Sequence, residues 1–274
     1  MSEEKLARNS QGDSGSEELL YEQRGNIGLL TFNRPQARNA LTFSMYRKVA
    51  EICAGPAEGI KAIVIAGAGG KSFAAGTDIA QFRDFKSPEQ AVEYEATMDQ
   101  VISQIEKCPV PTIAAITGAC TGGGAVIASA CDIRICDANL KFGFPIARTL
   151  GNCLSAANLA RLAALIGAGR VREIIFTARL IEAQEARDIG LVSEIVRQNA
   201  DTKGDDVIES ALKIANTVAG NAPLTLQATK EIQRRLAIAE VEDRDWIVKC
   251  YTSEDFREGL DAFLAKRKPD WKGR

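Results

Sequence analysis

The sequence predicts an α/β fold with parallel strands, followed by a helical C-terminal region. Up to about residue 200, short apolar runs bounded by turn residues alternate with segments of helical period. From residue 201 onward, strand-like runs give way to helical segments. With 46% hydrophobic residues, the 274-residue chain has enough apolar side chains for a sizeable core. We therefore expect a disordered tail over residues 1–18, an α/β core over 19–200 and a helical region over 201–274.

The first elements are predicted to be a β-hairpin and a helix. Residues 19–21 and 27–32 are apolar runs on either side of Gly25 and Asn26, which predict a tight turn. Thr42 is a typical N-cap residue and indicates a helix through about residue 53.

Strands and helices alternate after this point. The apolar run 62–66 predicts a buried strand, and the glycine-rich residues 67–70 lack the spacing of a phosphate-binding loop and predict a turn. Ser87 begins a long amphipathic helix that Pro109 ends. The apolar faces of the C-terminal helices need either the core or another subunit as a partner. Further strands are expected at 112–116, 133–135 and 140–142, and further helices at 208–218, 224–236, 241–251 and 255–264.

Composition excludes several functions. The net charge of −2 gives no electrostatic basis for binding nucleic acid or an anionic membrane. No apolar run reaches the roughly 18 residues of a membrane-spanning helix. The N-terminal segment is polar and has no apolar core, so we do not expect it to be a secretory signal. The cysteine usage of the chain fits a reducing compartment, and we expect a cytoplasmic protein.

Cysteine and histidine usage narrows the chemistry further. The seven cysteines are odd in number and form no C-x-x-C pair, which argues against a disulfide framework or a zinc site and favours buried thiols. The chain has no histidine. Ser-His-Asp and Cys-His catalysis are therefore excluded, the commonest metal ligand is missing, and we expect no metal site.

Two glycine-bearing corners are the main candidates for a functional site. One spans residues 73–78 with the sequence FAAGTD, and the other spans 122–124, three successive glycines. Each comes after a β-rich apolar run and precedes a helix-like segment, where unpaired N–H donors and a partial positive charge are expected. Two such corners aimed at one point form an oxyanion hole, which stabilises an enolate or a tetrahedral oxyanion. The alternative is a pair of tight strand-to-helix turns.

Seven motifs in order resemble the crotonase superfamily, that is, the enoyl-CoA hydratase/isomerase superfamily. Any one of them is weak evidence, but together they cover almost the whole chain from Leu20 onward. The motifs are NRP…NAL at 33–41, FAAGTDI at 73–79, TG…GGG at 117–124, CDI at 131–133, FGFP at 142–145, AQEA…GLV at 183–192 and DAF…KR at 261–267.

The resemblance implies a right-handed spiral of ββα units with a C-terminal helical trimerisation region, assembled as a homotrimer or homohexamer. It implies an acyl-CoA substrate, with coenzyme A as part of the substrate and no separate cofactor. It also implies that the backbone N–H groups of Thr77 and Gly123 bind the thioester oxygen.

A CoA-binding surface along the first corner is also implied. The backbone of residues 74–79 would contact the adenine end, and Arg38 the phosphates or pantetheine. Lys266 and Phe263, from the C-terminal helices, resemble family positions that touch CoA, often across a subunit contact. A solvated side chain is the alternative for Arg38 and for Lys266. Asp78 and Asp132 are expected to brace turns rather than transfer protons. The CoA-binding candidates are Arg38, Ala74, Ala75, Asp78, Ile79, Phe263 and Lys266.

Two positions depart from the family pattern. Hydratases of this family carry one glutamate three residues after the middle glycine of the second corner and another directly after the proline of Phe-Gly-x-Pro. This chain has Val126 and Ile146 there. The three-residue spacing places Val126 on the helix face of Gly123, toward the site. Because paired carboxylates add water across a double bond by acid–base catalysis, ordinary hydration is doubtful, and the two apolar residues predict a dry acyl pocket.

Other residues are candidates to transfer a proton or to bind the acyl group. Arg148 is a candidate catalytic residue, since a fixed cation could bind a carboxylate on the acyl group. For each of the others, a solvated or core position is the alternative: Tyr94, Glu95, Asp99, Cys120, Thr121, Thr149, Asn152 and Ser155.

The sequence therefore predicts an acyl-CoA-processing enzyme that stabilises a thioester enolate. Double-bond isomerisation, elimination or decarboxylation needs fewer protein proton carriers than hydration does. The rival is a CoA-thioester binding protein that has lost catalysis, and deuterium exchange at the α-carbon separates the two. The absent histidine excludes a serine peptidase on the same fold, and the absence of G-x-G-x-x-G after the first strand excludes a dinucleotide-binding oxidoreductase.

Overall fold

The computed structural model describes residues 18–82, 87–197, 205–237, 244, 248 and 251–270. The strands are β1 (Leu19–Arg24), β2 (Ile27–Phe32), β3 (Ala62–Gly67), β4 (Ser72–Ala74), β5 (Thr112–Ile116), β6 (Ala119–Thr121), β7 (Ile133–Asp137), β8 (Lys141–Gly143), β9 (Ile181–Glu182) and β10 (Glu194–Val196). The helices are α1 (Phe43–Ala54), α2 (Pro88–Lys107), α3 (Gly123–Ala130), α4 (Ala156–Ile166), α5 (Ala168–Thr177), α6 (Ala183–Asp188), α7 (Asp205–Ala219), α8 (Pro223–Ala237) and α9 (Glu254–Leu264). Short 3-10 turns occur at Pro35–Ala37, Ile79–Phe82 and Pro145–Ala147.

Two sheets share these strands. The first has the order β1-β2-β3-β5-β7-β10, in which β1 and β2 are antiparallel and the other neighbours are parallel. The second has the order β4-β6-β8-β9, in which only β9 is antiparallel. The units β3-β4-α2, β5-β6-α3 and β7-β8-α4 each give one strand to each sheet and then a helix. The predicted α/β order with parallel strands is therefore confirmed.

Strand β3 is buried on both faces and separates two apolar clusters. Ile63 and Ile65 pack in the cluster that contains residues of α1 and α2, while Ala62, Val64 and Ala66 pack with residues of α7. This division reflects the two-residue period of a strand. The first helix of the C-terminal region therefore has the core as its partner.

Hydroxyl side chains cap the N-termini of several helices, two of them at the predicted positions. The amide of Met45 donates to Thr42 Oγ1 over 3.3 Å at the start of α1, and the amide of Gln90 donates to Ser87 Oγ over 3.4 Å at the start of α2. Ser155 caps α4 in the same way. That helix was not predicted, although Ser155 before an alanine- and leucine-rich run is a usable start signal.

Most of the remaining predictions agree with the structure. The hairpin is present, with its first strand extended to Arg24, and a turn comes after β3. The C-terminal helices at 208–218, 224–236 and 255–264 are α7, α8 and α9. The helix expected at 241–251 lies largely outside the described residues, as does nearly all of the tail at 1–18. The sequence did not predict β4, β6, β9, β10, α4, α5 or α6.

Several polar and cysteine residues have structural roles. The carboxylate of Asp132 accepts hydrogen bonds from the Thr112 amide at 2.7 Å, the Thr112 hydroxyl at 2.9 Å and Lys230 Nζ at 2.7 Å. The expectation that Asp132 braces a turn is confirmed. The six cysteines that the structure describes are free thiols, and all but Cys153 are buried.

Two negative findings apply to the described residues. None of their helices is long and apolar enough to cross a membrane. Nor do they contain a group of three or more histidine, cysteine or acidic side chains placed to hold a metal ion.

Candidate active site

Parallel pairing of two short strands brings the two glycine corners together. In the second sheet, Ser72 of β4 lies opposite Ala119 of β6, and Ala74 lies opposite Cys120. Parallel strands end at the same edge of a sheet, so the chain leaves both strands toward one point. A Cβ on Gly122 would lie only 3.4 Å from the Cα of Gly76, which shows how closely the corners approach. Because β8 is the next parallel strand, the 3-10 turn at Pro145–Ala147 lies at the same edge.

The two corners lead into different elements. The second leads directly into α3, whose first residue is Gly123. The first leads only into the 3-10 turn at Ile79–Phe82, so the expected helix-like segment is a single short turn there. Gly76 and Gly122 have φ values of +118° and +52°, which favour glycine in both bends.

The amides of Thr77 and Gly123 have no protein acceptor within the part of the chain that the structure describes. Gly123 is the first residue of α3, and the first N–H groups of a helix have no acceptor inside it. Beside Thr77, the hydrogen bonds run from Leu41 N to Gly76 O and from Asp78 N to Leu41 O, each 2.8 Å long. The amide of Thr77, which lies between these two hydrogen bonds, takes part in neither of them. Two such donors, one at a helix start, favour a developing negative charge.

Both residues line a cavity of about 750 Å³, which is within the usual range for a small-molecule site. Val126 and Ile146 also line it, each 8% exposed, and Met98 contributes a further apolar side chain. These three side chains make part of the cavity wall apolar; the dry acyl pocket remains a prediction.

Two tyrosine hydroxyls contact the side chain of Thr77. The hydroxyl of Tyr46 on α1 lies 2.9 Å from Thr77 Oγ1, and that of Tyr94 on α2 lies 3.5 Å from it. Burial raises the pKa of both phenols, and the negative charge of Glu95 raises each of them further. Both hydroxyls therefore stay protonated at neutral pH. Sequence reasoning missed Tyr46, although it lies on the buried face of the predicted helix.

A second polar group lines the same cavity. The hydroxyl of Tyr251 donates a hydrogen bond to the carboxylate of Glu95, and Asn152 Nδ2 donates to the Tyr251 oxygen over 3.3 Å. All three residues line the cavity, and Glu95 is only 6% exposed. Burial and the charge of Glu95 raise the pKa of Tyr251 well above its usual value.

Asn39 holds the chain behind the first corner. Its Oδ1 accepts from the Arg34 amide at 2.9 Å, and its Nδ2 donates to Ala68 O at 3.0 Å and Ser72 O at 2.8 Å. The residue is fully buried and has a φ of +56°. It ties the turn after β3 and the start of β4 to the NRP…NAL motif.

Most of the predicted CoA-binding residues line the cavity. They are Arg38, Ala75, Asp78, Ile79 and Phe263. The Asp78 carboxylate pairs with Arg34 at 3.0 Å and accepts from the Ala80 amide at 3.2 Å. This confirms the expectation that Asp78 braces a turn.

Three predicted site residues do not line this cavity. Ala74 is fully buried behind the corner, where it packs against Gly124. Lys266 is exposed in the turn after α9. Arg148 is also exposed, because the 3-10 turn before it directs Ile146 inward and leaves Ala147 and Arg148 outside. The structure therefore gives Arg148 no contact with the cavity through which it would bind an acyl carboxylate.

The other candidate residues divide into two groups. Asp99 accepts from Ser155 Oγ at 2.8 Å and from Asn158 Nδ2 at 3.4 Å, and Cys120 is fully buried, so these positions are structural. Thr121 and Thr149 line the cavity.

Known proteins are similar to this one over nearly the whole chain. A family model described as enoyl-CoA hydratase/isomerase matches residues 22–274. Short-chain-enoyl-CoA hydratase of Clostridium acetobutylicum is 32% identical over 258 residues, which are 91% of this chain and 95% of that protein. 2,3-Dehydroadipyl-CoA hydratase of Escherichia coli is 31% identical over 263 residues, 94% of this chain and 99% of that protein.

Solved structures agree with these relatives. An enoyl-CoA hydratase/carnithine racemase from Magnetospirillum magneticum is 32% identical with a TM-score of 0.73, over 95% of this chain and 97% of that one. Methylmalonyl-CoA decarboxylase in complex with 2-nitronate-propionyl-CoA is 25% identical with a TM-score of 0.81, over 95% of this chain and all of that one.

Proposed function

Because the chain belongs to the enoyl-CoA hydratase/isomerase family and has the crotonase fold, we propose that it processes acyl-CoA thioesters through an enolate held by two backbone amides. It is an enzyme of this superfamily. The observation that carries the proposal is the pair of amides at Thr77 and Gly123. Neither has an acceptor among the described residues, and both residues line one cavity. A thioester oxygen placed between them would gain two hydrogen bonds that strengthen as negative charge develops on it.

The residues around the first corner support binding of the CoA part of the substrate. Arg38 provides an exposed cation at the cavity, and the main chain from Ala75 to Ile79 provides the adjacent surface. Phe263, half exposed at the end of α9, adds an apolar contact. We propose coenzyme A only as part of the substrate, with no separate cofactor.

Ordinary hydration is expected to be slow. Val126 and Ile146 line the cavity at the positions where the resemblance places two glutamates, and neither side chain holds or polarises water. Each general acid or base typically contributes about 10²–10⁴-fold to a rate. Double-bond isomerisation, elimination and decarboxylation all pass through the same enolate without adding water, so the apolar wall favours reactions of this kind.

Deuterium exchange at the α-carbon tests the enolate directly. A panel of acyl-CoAs, including crotonyl-CoA, is incubated with the protein in D₂O and monitored by NMR, with binding measured in parallel. We expect exchange on at least one saturated acyl-CoA and slow hydration of crotonyl-CoA. Tight binding without any exchange would contradict enolate formation and would support a CoA-thioester binding protein. Fast hydration of crotonyl-CoA would contradict the effect assigned to Val126 and Ile146.

Self-association into a homotrimer or homohexamer is also proposed. On α8, Leu224 is 77% exposed and Ile232 is 57% exposed, although both are large apolar side chains. Exposed apolar side chains on one helix support an interface between copies. Light scattering measures the mass directly, and a monomer at micromolar concentration would contradict the proposal.

A further inference from the structure

Glu95 is a buried carboxylate on the wall of the cavity. Among the described residues that line the cavity, the only other acidic side chain is Asp78, and that carboxylate already pairs with Arg34. Glu95 lies on α2 and is 6% exposed. Removing a carboxylate from water is costly unless hydrogen bonds or a charge compensate. The hydrogen bonds that Glu95 receives therefore bear on whether it is ionised and on its role in the cavity.

A directed chain of hydrogen bonds supports the carboxylate form of Glu95. A phenol has a single hydrogen, and the hydrogen of Tyr251 points to the Glu95 carboxylate. The Tyr251 oxygen can then accept a hydrogen bond, and Asn152 Nδ2 donates to it over 3.3 Å. A donor that itself receives a hydrogen bond is a stronger donor. The arrangement stabilises a negative Glu95 while keeping the residue beside the cavity.

Glu95 lines the same cavity as Thr77 and Gly123 of the two glycine corners. Tyr94 precedes it on α2, and the Tyr94 hydroxyl lies 3.5 Å from Thr77 Oγ1. The charge of Glu95 acts on Tyr46 as well, whose hydroxyl lies 2.9 Å from the same Thr77 oxygen. The phenols of Tyr46 and Tyr94 are neutral and hold their protons tightly. The carboxylate is the cavity group that is suited to take up a proton and return it.

We propose that Glu95 is the catalytic residue that transfers the proton, acting from the α2 wall of the cavity. This inference rests on the proposed function. A carboxylate oxygen of Glu95 forms an O–H bond as the C–H bond next to the thioester carbonyl breaks. The electron pair moves into the C–C bond and onto the thioester oxygen, which accepts hydrogen bonds from the amides of Thr77 and Gly123. Returning the proton to the same carbon, or to the γ-carbon of an enoyl group, restores the carboxylate and needs no oxidant or reductant.

A matched pair of variants on α2 tests the inference. Glu95→Gln keeps the size of the side chain and removes its charge, whereas Glu93→Gln makes the same change at a position outside the cavity lining. Butyryl-CoA is the probe: α-proton exchange in D₂O is monitored by NMR, and affinity is measured by calorimetry. We expect exchange in Glu95→Gln to fall by about 10²–10⁴-fold with affinity nearly unchanged. Glu93→Gln should match the wild type.

The outcomes separate this inference from the proposed function. A folded Glu95→Gln protein that exchanges as fast as the wild type would overturn the role of Glu95 and leave the enolate proposal intact. A wild-type protein that binds the acyl-CoAs of the panel, butyryl-CoA included, and catalyses exchange on none of them would overturn both. If Glu95→Gln does not fold, Glu95→Asp is measured instead. It keeps the charge but withdraws the carboxylate by one methylene, and a misplacement of about 1 Å can cost about 10²-fold in rate, so exchange should fall by up to that factor. Wild-type exchange in that variant would also overturn the inference.

Discussion

Replacing Gly123 by alanine tests whether the second corner tolerates a side chain at this position. A Cβ at this position would overlap the hydroxyl oxygen of Tyr46 and lie 3.1 Å from its Cζ and 3.0 Å from Thr77 Oγ1. Optimal carbon contacts are near 3.5–4.0 Å. Either the tyrosine ring or the first turn of α3 therefore has to move.

The expected cost depends on the surroundings of Tyr46. The tyrosine is 2% exposed, so its ring has little space into which it can swing. Overpacking a buried site costs about 1–3 kcal/mol, and loss of the hydrogen bond between the hydroxyls of Tyr46 and Thr77 adds about 0.5–1.5 kcal/mol. We expect the free energy of unfolding to fall by about 2–4 kcal/mol. If α3 moves instead, the Gly123 amide is displaced, and losing one such donor slows a reaction by about 10²–10³-fold.

Urea unfolding and α-proton exchange measure the two effects. Gly169→Ala is the control, because an added Cβ there meets nothing within 4 Å and the position lies in α5. It should be as stable as the wild type or up to about 1 kcal/mol more stable. Adding Tyr46→Phe to Gly123→Ala removes the overlapping oxygen and should recover part of the stability, which a double-mutant cycle detects. A Gly123→Ala protein with wild-type stability and wild-type exchange would refute the reasoning.

Three further substitutions or conditions give separate tests. Gly124→Ala places a Cβ onto the carbonyl oxygen of Ala74, which is main chain, so we expect a loss above about 3 kcal/mol in urea unfolding that trimming a side chain does not recover. Asn39→Ala removes three hydrogen bonds at a residue with positive φ, so the free energy of unfolding should fall by about 2–4 kcal/mol. Asn39→Gly should lose less, because glycine tolerates that φ, and equal losses of stability in the two variants would contradict this. Burial raises the pKa of Tyr46 and raises that of the Cys131 thiol to about 12, so the folded state holds these protons more tightly than the unfolded chain. The stabilisation from Cys131 should fall as the pH rises above 9.0, the ordinary pKa of a thiol, and that from Tyr46 as it rises above 10.0, the ordinary pKa of a phenol. Each loss should be about 1.4 kcal/mol per pH unit up to about pH 12, and a flat urea midpoint from about pH 9 to 12 would contradict it.

The fold was predictable wherever local signals agreed with one another. The strand β3 is apolar on both faces and bounded by turns, and α2 combines a serine cap with a helical period, so both were placed nearly to the residue. The strands β4, β6 and β9 have three, three and two residues, which is too short for a recognisable period. They exist because neighbouring strands pair with them, and pairing partners are not visible in a local window.

The site was predictable only in its main-chain part. Glycine at two bends and the motif order indicated where Thr77 and Gly123 lie. The contact of Tyr251 with Glu95 spans 156 positions, and that of Tyr46 with Thr77 spans 31, so no local pattern encodes either. Arg148 was a candidate because of its charge. Whether its side chain faces the cavity or the solvent depends on the three-residue 3-10 turn before it, and no local signal in the sequence predicted that turn.

The donors at the two bends belong to the peptide chain itself, and every amino acid except proline carries one. Substitutions at position 77 by any residue except proline therefore keep that N–H donor so long as the bend survives. The carboxylate that we propose to transfer the proton is instead a side chain of α2, and a single mutation replaces it. A change of that side chain would therefore alter the proposed proton transfer while the main-chain donors at the two bends stay in place.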